Sequence, residues 1–172
     1  MNIFVLDPDP IVAASYHCDQ HLHKMILESA QMLSTAARAR GFTQIESWLY
    51  QSAYQNHPCT KWAADSNHHM HWVCTLATEL DSLRSNGTHS SMDVIHAVKD
   101  YLEDEFPYCH YRHVEEFVFA GYPHISVRPD LTIPQKYQLY YQKKHQLWRL
   151  TAGRGMTYKG RPVPPFMQGI LE

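Results

Sequence analysis

Apolar and polar residues recur with the spacing of an α-helix over five stretches of the chain. The first stretch begins at Asp9 and Pro10, a capping residue followed by a proline suited to the first helical position. It ends at Arg40, because Gly41 follows it and stops the pattern. The predicted helices cover residues 10–40, 43–54, 58–84, 90 or 91 to 105, and 134–150.

Three other segments lack this spacing. The sequence "NIFVL", residues 2–6, is apolar and β-prone, which predicts an edge strand or an extended tail pinned to the core. Residues 106–130 are rich in aromatic, histidine and proline residues and predict a loop with at most short strands. Residues 150–172 are punctuated by glycine and proline and predict an irregular tail. We therefore expect a mainly α fold, a single compact helical domain over residues 1–172 with an extended N-terminal segment and an irregular C-terminal tail.

Composition narrows the class of protein. The 172 residues are 44% hydrophobic, as in a globular domain, and they hold no apolar run of the roughly 18 residues that a membrane span needs. No basic leader precedes a long apolar core at the N-terminus, so no secretion signal is expected. The 4 cysteines are scattered without a C-x-x-C pair, which favours a reducing cytosol.

The charge balance does not identify a partner. The net charge is −2, without the overall basic excess that a large DNA-binding surface usually shows. The 13 histidines would nevertheless make the protein cationic after a modest fall in pH. Composition alone therefore leaves the partner open.

A stripe of titratable residues runs along the first predicted helix. His17, His21, Lys24 and Glu28 are spaced so that they fall within about 60° of one another around a helix. The opposite side of the helix is apolar and carries Leu22, Ile26, Leu33 and Ala37. The polar stripe is therefore either a solvated surface or a site.

Two interpretations of the stripe involve no acid–base chemistry. A solvated face is the ordinary outcome for charged residues at helical spacing. A metal site would use His17 and His21, with further ligands from "NHHMH", which supplies His68, His69 and His71. The spacings complete no zinc signature, however, so we predict that no metal or other cofactor is required.

A third interpretation is an acid–base site without metal. The neighbouring lysine and histidines could tune the ionisation of Glu28 for proton transfer. Asn56, His57 and Lys61, around the start of the third predicted helix, are expected to line the same cleft.

The order of residues around Glu28 resembles a known family. The sequence "DQHL", from Asp19 to Leu22, with Glu28 seven residues after His21, is similar to the opening of the phage pyrimidine-dimer DNA glycosylases, also called endonuclease V. Over more of the chain, "MNIFVLDPDP", "HCDQHLHKMILESAQMLSTA" and "NHPCTKW" resemble small phage and bacterial proteins related to that glycosylase. The resemblance implies a compact helical protein, phage-encoded and in the host cytoplasm, that acts on DNA or a nucleotide. No membrane partner is expected, because the chain holds no long apolar run.

The resemblance also implies roles for individual residues. The family attacks the sugar C1′ of a damaged nucleotide with its N-terminal α-amine, and the resulting imine permits β-elimination of the strand. We assign that amine to Met1, because the large Asn2 discourages removal of the initiator methionine, and Lys24 is the alternative amine. Glu28 matches the carboxylate that stabilises the cationic sugar and shuttles protons, and His21 matches a histidine that contacts the substrate.

Further side chains are expected to bind the substrate. The sequence "MTYKGR" is similar to an aromatic and basic C-terminal segment that contacts DNA in that family. This similarity implies such contacts for Tyr158, Lys159 and Arg161. The rest of the expected binding set is His17, Asn56, His57 and Lys61.

Two other function classes are left open by the residues. One is a metal-dependent enzyme that acts on a small substrate through the histidines. The other is a non-catalytic phage protein that binds a host factor through an acidic or aromatic surface. A structure that shows whether Glu28 lies in a cleft beside the N-terminus distinguishes the glycosylase from both of them.

Overall fold

A computed structural model describes residues 1–114 and 116–171 of the chain. The regular structure of these residues is helical and includes no strand, which confirms the prediction of a mainly α fold. No helix in this part of the chain is long and apolar enough to cross a membrane. The α-helices are α1 (Pro10–Tyr16), α2 (Asp19–Ala39), α3 (Pro58–Asp65), α4 (Asn67–Ser82), α5 (Met92–Glu105), α6 (Pro123–Ser126) and α7 (Ile133–Ala152). Short 3-10 helices cover Thr43–Trp48, Tyr111–His113 and Pro165–Met167.

Helix α2 lies at the centre of the fold. It packs against α3, α4 and α5, and α1 packs against α4. The apolar side predicted for α2 is buried, and it contains Leu22, Ile26, Leu33 and Ala37. The opposite side is partly covered as well, because the N-terminal segment and aromatic side chains of α7 lie against it. Burial of apolar surface on two sides makes α2 the element that holds the others together.

The N-terminal segment is extended, which is the second of the two forms that its sequence predicts. Ile3, Val5 and Leu6 are fully buried in the core. The side-chain amide of Gln138, on α7, donates to the Leu6 carbonyl at 2.9 Å. This contact gives a buried backbone group the partner that a neighbouring strand would otherwise supply.

The helix predicted over residues 10–40 is two helices, so that prediction was wrong. His17 has an extended backbone, with ψ of 136°, and separates α1 from α2. The C-terminal tail stabilises this break: Arg161 donates to the His17 carbonyl at 2.7 Å, and the Asp19 N–H donates to the Thr157 carbonyl at 2.9 Å. Because Arg161 is 144 residues away in sequence, helical periodicity could not reveal the break.

The prediction of a helix over residues 43–54 was also wrong beyond the first half of that segment. Helical backbone, in 3-10 form, covers Thr43–Trp48. The chain that follows directs its N–H groups to hydroxyls of α2: Tyr50 donates to Ser34 Oγ at 3.1 Å, and Ala53 donates to Thr35 Oγ1 at 3.0 Å. These side-chain acceptors replace the carbonyls that a helix would have provided.

The helix predicted over residues 58–84 is divided at Ser66, a division that was not predicted. Ser66 has an extended backbone, and its hydroxyl accepts a hydrogen bond from the His69 N–H at 3.1 Å. Ser66 therefore caps α4 and separates it from α3. Both helices contribute large side chains to the core, among them Trp62, Trp72, Leu76 and Leu80.

The last two predicted helices are confirmed. Helix α5 begins directly after Ser91 and ends at residue 105. Helix α7 begins with a capping box, in which the Thr132 hydroxyl accepts from the Gln135 N–H and the Gln135 side chain accepts from the Thr132 N–H. It ends at Gly153, whose φ of 64° suits a glycine, so the irregular tail begins slightly later than predicted. The loop predicted over residues 106–130 contains short helical turns and no strand, apart from residue 115, which lies outside the described residues.

Candidate active site

The N-terminal residue is held against the middle of α2. The Met1 side chain is 1% exposed, and its sulfur accepts a hydrogen bond from the Thr60 hydroxyl at 3.3 Å. The Met1 α-amine lies 3.7 Å from Oε2 of Glu28. Complete burial of a methionine side chain contributes about 1.5–3 kcal/mol. The thioether therefore anchors the amine beside the carboxylate.

Asn2 stabilises the turn that brings the N-terminus to this position. Its backbone N–H donates to Oε2 of Glu28 at 2.8 Å, and its side-chain amide donates to the Ala120 carbonyl at 2.6 Å. Its side-chain oxygen accepts from the N–H groups of Ile3 and Phe4 at 2.8 and 3.1 Å. Phe4 has a φ of 39°, in the left-handed region that costs a non-glycine residue about 1–2 kcal/mol. The hydrogen bonds of Asn2 offset this strain.

Glu28 is the centre of the group. Its side chain is 13% exposed, and its two oxygens face different partners. Oε2 faces the Met1 amine and the Asn2 N–H, whereas Oε1 lies 3.3 Å from Nζ of Lys24. Lys24 is one helical turn earlier on α2, so the spacing that predicted this pair is borne out in the geometry. A carboxylate placed in this way can stabilise positive charge on a substrate and exchange protons with a neighbouring amine.

His21 lies beneath the N-terminal segment in an aromatic cluster. Its ring stacks on Phe4 with the ring centroids 4.9 Å apart, and its Nδ1 is hydrogen-bonded to the Tyr141 hydroxyl. Burial is the main reason why the pKa of His21 is well below its ordinary value, and the positive charges of Lys144 and Lys24 lower it further. His21 is therefore neutral near pH 7, and its ring packs against the ring of Phe4.

His17 is completely buried at the end of α1, so it does not share a helix with Glu28. Its Nδ1 donates to the Ala13 carbonyl at 2.7 Å, while its Nε2 has no hydrogen-bond partner among the described residues. Burial lowers the pKa of His17 from 6.5 to about 4, although the hydrogen bond to Ala13 opposes this shift. The single titratable face predicted from helical spacing therefore begins at His21.

Helix α7 adds a cation that the sequence analysis missed. Nζ of Lys144 lies 5.5 Å from the ring centroid of Phe4, 5.7 Å from that of Tyr140 and 5.2 Å from that of Trp148. Burial lowers the pKa of Lys144, and the charge of Lys24 adds to this effect. The two aromatic residues and the lysine on α7 recur every four residues, so they share one face of the helix. The spacing of Tyr140, Lys144 and Trp148 could have predicted this shared face from the sequence. No neighbouring residue, however, indicated that the face would pack near Glu28.

Three residues were predicted to line the same cleft as Glu28, and they lie in different surroundings: Asn56, His57 and Lys61. Burial is the main cause that lowers the pKa of His57, and the N-terminal charge lowers it further while Glu28 opposes the change. His57 is thus within the electrostatic influence of the site. Asn56 is exposed beside it, and Lys61 lines a groove with Thr35 and Arg38 of α2.

The C-terminal residues that were expected to bind the substrate lie at the other end of α2. Asp19, nine residues before Glu28 and therefore roughly 14 Å away along the helix axis, holds them. Its carboxylate accepts from the Arg161 guanidinium and from the Lys159 N–H, both at 2.8 Å. Tyr158 is buried, whereas the Lys159 side chain is exposed. The structure thus separates this group from the Met1–Glu28 pair.

The histidines considered as metal ligands do not form one cluster. Within the part of the chain that the structure describes, no three His, Cys, Asp or Glu side chains are arranged to hold a metal ion. His69 stacks on Trp62, and Nε2 of His71 lies 3.8 Å from Oε1 of Glu103 on α5. That no metal is required stays a prediction, which elemental analysis of the purified protein can test.

Comparison with known proteins gives a match to a family. The family model described as pyrimidine dimer DNA glycosylase matches residues 1–89. No curated protein and no solved structure matches the chain. The matched part contains Met1, Lys24, Glu28 and His57, whereas α5 and α7 lie beyond it.

Proposed function

The chain belongs to the pyrimidine dimer DNA glycosylase family, and we propose that it excises a damaged base from DNA through an imine formed on its N-terminal amine. The observation that carries this proposal is the position of the Met1 amine, 3.7 Å from Oε2 of Glu28. The two groups are the nucleophile and the carboxylate that such a reaction needs. A DNA substrate places the activity inside a cell, and in the host cytoplasm for a phage-encoded protein.

The reaction is a substitution at the sugar C1′ followed by an elimination. The lone pair of the Met1 amine forms a bond to C1′, and the damaged base leaves with the electron pair of the glycosidic bond and acquires a proton. The sugar ring then opens and leaves an iminium ion on the N-terminus. Loss of a proton from C2′ breaks the C3′–O bond and releases the phosphate, and water hydrolyses the imine to free the enzyme.

Glu28 has two roles in this scheme. Its negative charge stabilises the positive charge that develops on the sugar as the base departs. Because Oε2 lies next to the amine, Glu28 also takes the proton that the amine loses and passes it to the departing base. The restored carboxylate then accepts the C2′ proton during the elimination. The Met1 amine is held against Glu28 by a buried side chain, whereas the Lys24 side chain is 60% exposed, which favours Met1 over Lys24 as the nucleophile.

The distribution of charge supports DNA as the partner. Helix α7 contains four lysines and arginines and no aspartate or glutamate, although the whole chain has a net charge of −2. On α7, Lys144 is close enough to Lys24 and Glu28 for their charges to influence its pKa. A local excess of positive charge near the site is what phosphate binding needs, whatever the charge of the rest of the surface. The target base must also leave the duplex stack before the amine can reach C1′.

Reductive trapping tests the nucleophile. Incubation with a DNA strand that carries an abasic site, in the presence of borohydride, should produce a covalent adduct, because borohydride reduces an imine and does not trap a non-covalent complex. Peptide mapping should place the adduct on the N-terminal peptide. Selective acetylation of the α-amine should abolish the adduct.

The control for this experiment is Lys24→Ala, which removes the alternative amine and should leave trapping in place. An adduct that survives N-terminal acetylation and disappears in Lys24→Ala would transfer the nucleophile to Lys24. Absence of any adduct with abasic and dimer-containing DNA would contradict the proposed chemistry.

A further inference from the structure

We propose that Lys144 and the aromatic rings around it form an anchoring site for a DNA phosphate next to the nucleotide that reacts. This inference rests on the proposed function, because it places the phosphate beside the Met1–Glu28 pair. It concerns α7, which lies outside the part of the chain that matches the family model.

The geometry holds the ammonium group of Lys144 in one place. It lies between 5.2 and 5.7 Å from three ring centroids, those of Phe4, Tyr140 and Trp148. Each cation–π contact contributes roughly 0.5–1 kcal/mol at an exposed position and more where water is excluded. Three such contacts restrict the flexible side chain before any ligand arrives, and this preorganisation reduces the cost of binding.

Lys144 also lacks the carboxylate partner that its neighbour has. Lys24 lies 3.3 Å from Oε1 of Glu28, whereas no carboxylate of the described residues lies within ion-pair distance of Nζ of Lys144. The burial that lowers the pKa of Lys144 also removes part of the water around its charge. A half-buried ammonium without an anionic partner is more favourable when a phosphate oxygen completes its surroundings.

The N-terminal segment connects this anchoring site to the reacting centre. Phe4, whose ring lies under the ammonium, belongs to the segment in which Asn2 binds Glu28. Tyr140 and Trp148 are only partly buried, so their rings are also accessible to a base adjacent to the lesion. A strand with its phosphate on Lys144 would therefore present the neighbouring sugar to the Met1 amine.

The salt dependence of binding measures this phosphate contact without any reaction. We would compare Lys144→Met with the native chain, using a single-stranded oligonucleotide with a reduced abasic site at several salt concentrations. The loss of one phosphate contact should reduce the slope of log K against log salt by about 0.7 and weaken binding roughly fivefold to tenfold near 0.1 M salt. Lys144→Arg should retain most of the slope, because it keeps the charge.

The matched control is Lys99→Met. Lys99 is also a partly exposed lysine on a helix, but it lies 3.8 Å from Glu103 on α5. Its loss should leave the slope unchanged. Equal slopes for Lys144→Met and the native chain, with the thermal stability of the variant intact, would overturn the proposal. Inorganic phosphate that competes as strongly as DNA at equal phosphate concentration would also overturn it, because the site would then bind a free anion.

The two proposals can fail separately. Trapping of the native chain by a small aldehyde that has no phosphate, with the adduct mapped to the N-terminal peptide, tests the amine without the phosphate contact of Lys144. Binding to the reduced abasic oligonucleotide tests Lys144 and involves no imine. A native chain that binds with the Lys144-dependent slope and gives no trapped adduct would keep the anchoring site and remove the proposed chemistry.

Discussion

Helices α5 and α7 bear opposite charge in one small protein. Helix α5 carries five acidic residues and one basic residue, and it packs against α2, α4 and the 3-10 helix Thr43–Trp48. Helix α7 carries four basic residues and no acidic residue, and its aromatic side chains reach Phe4 and His21. The net charge of −2 is thus an average over two different surfaces. The absence of an overall basic excess, noted from composition, does not count against a DNA substrate.

The difference also suggests how the protein would meet DNA. An acidic helix repels the phosphate backbone, while a basic helix attracts it, so the two together orient the molecule during encounter. Glu28 is the exception on the basic side. It is an acidic residue beside a cationic helix, and its carboxylate is engaged by the Met1 amine, the Asn2 N–H and Lys24.

The largest effect is expected when the charge of Glu28 is removed, and the same change at Glu103 is the control. Glu28→Gln should slow excision and strand cleavage by roughly 10²–10⁴-fold, because general acid–base catalysis contributes about that much. Glu103→Gln, on α5, should leave the rate within about twofold of the native value. Single-turnover cleavage of dimer-containing DNA measures both variants, and binding should be nearly unchanged in both. A Glu28→Gln variant as fast as Glu103→Gln would remove Glu28 from the site.

The second prediction concerns two tryptophans. Trp62, on α3, is 5% exposed and donates from Nε1 to the Glu116 carbonyl, whereas Trp48, beside α5, is 58% exposed. Trp62→Ala should reduce the free energy of unfolding by roughly 3–5 kcal/mol, because it leaves a cavity in the core. Trp48→Ala should cost less than about 1 kcal/mol. Denaturant unfolding of both variants provides the measurement, and a loss below about 1 kcal/mol for Trp62→Ala would contradict its place in the core.

The third prediction is a pH dependence of stability that arises from His17. Its pKa is 6.5 in an unfolded chain and about 4 in the folded protein, because burial penalises the charged form. As pH falls below 6.5, the unfolded state takes up a proton that the folded state does not, so stability is full above pH 6.5 and declines towards pH 4. The decline should amount to about 3 kcal/mol from this group.

The matched variants isolate that contribution. His17→Gln should be less stable at pH 7 but should lose less stability between pH 7 and pH 4 than the native chain. His96→Gln, at an exposed position of α5, should keep the native pH dependence. Urea unfolding at several pH values makes the comparison. An identical pH dependence in all three proteins would show that His17 is not buried as a neutral residue.

The smallest effect is expected from exposed and partly exposed charges on the two helices. Lys136 and Lys143 are seven residues apart on α7, and Asp93 and Asp100 are seven apart on α5. Replacing both lysines with glutamine should reduce the salt slope of duplex DNA binding by about 1.8, because two phosphate contacts are lost. Replacing both aspartates with asparagine should not reduce the slope. Equal changes for the two pairs would mean that DNA does not approach the α7 side.

The amino-acid sequence by itself determined the features that depend on neighbouring residues. Thr132 and Gln135 form a capping box within one turn, and the apolar spacing after Ser91 predicts α5 at its observed bounds. The pairing of Lys24 with Glu28 follows from helical spacing in the same way. These interactions join residues a few positions apart, so the local sequence contains the whole cause.

The tertiary structure alone decided where the N-terminus lies and what surrounds Glu28. The hydrogen bond from Asn2 to Glu28 joins residues 26 apart, and the one from Asn2 to Ala120 joins residues 118 apart. His21 meets Tyr141 across 120 residues, and the same packing of α7 on the N-terminal segment brings Lys144 over Phe4. Such contacts depend on which surfaces bury one another when the chain collapses, and no local pattern encodes that choice. The sequence could therefore nominate Glu28 as a candidate, but the position of Lys144 over Phe4 became visible only in the folded chain.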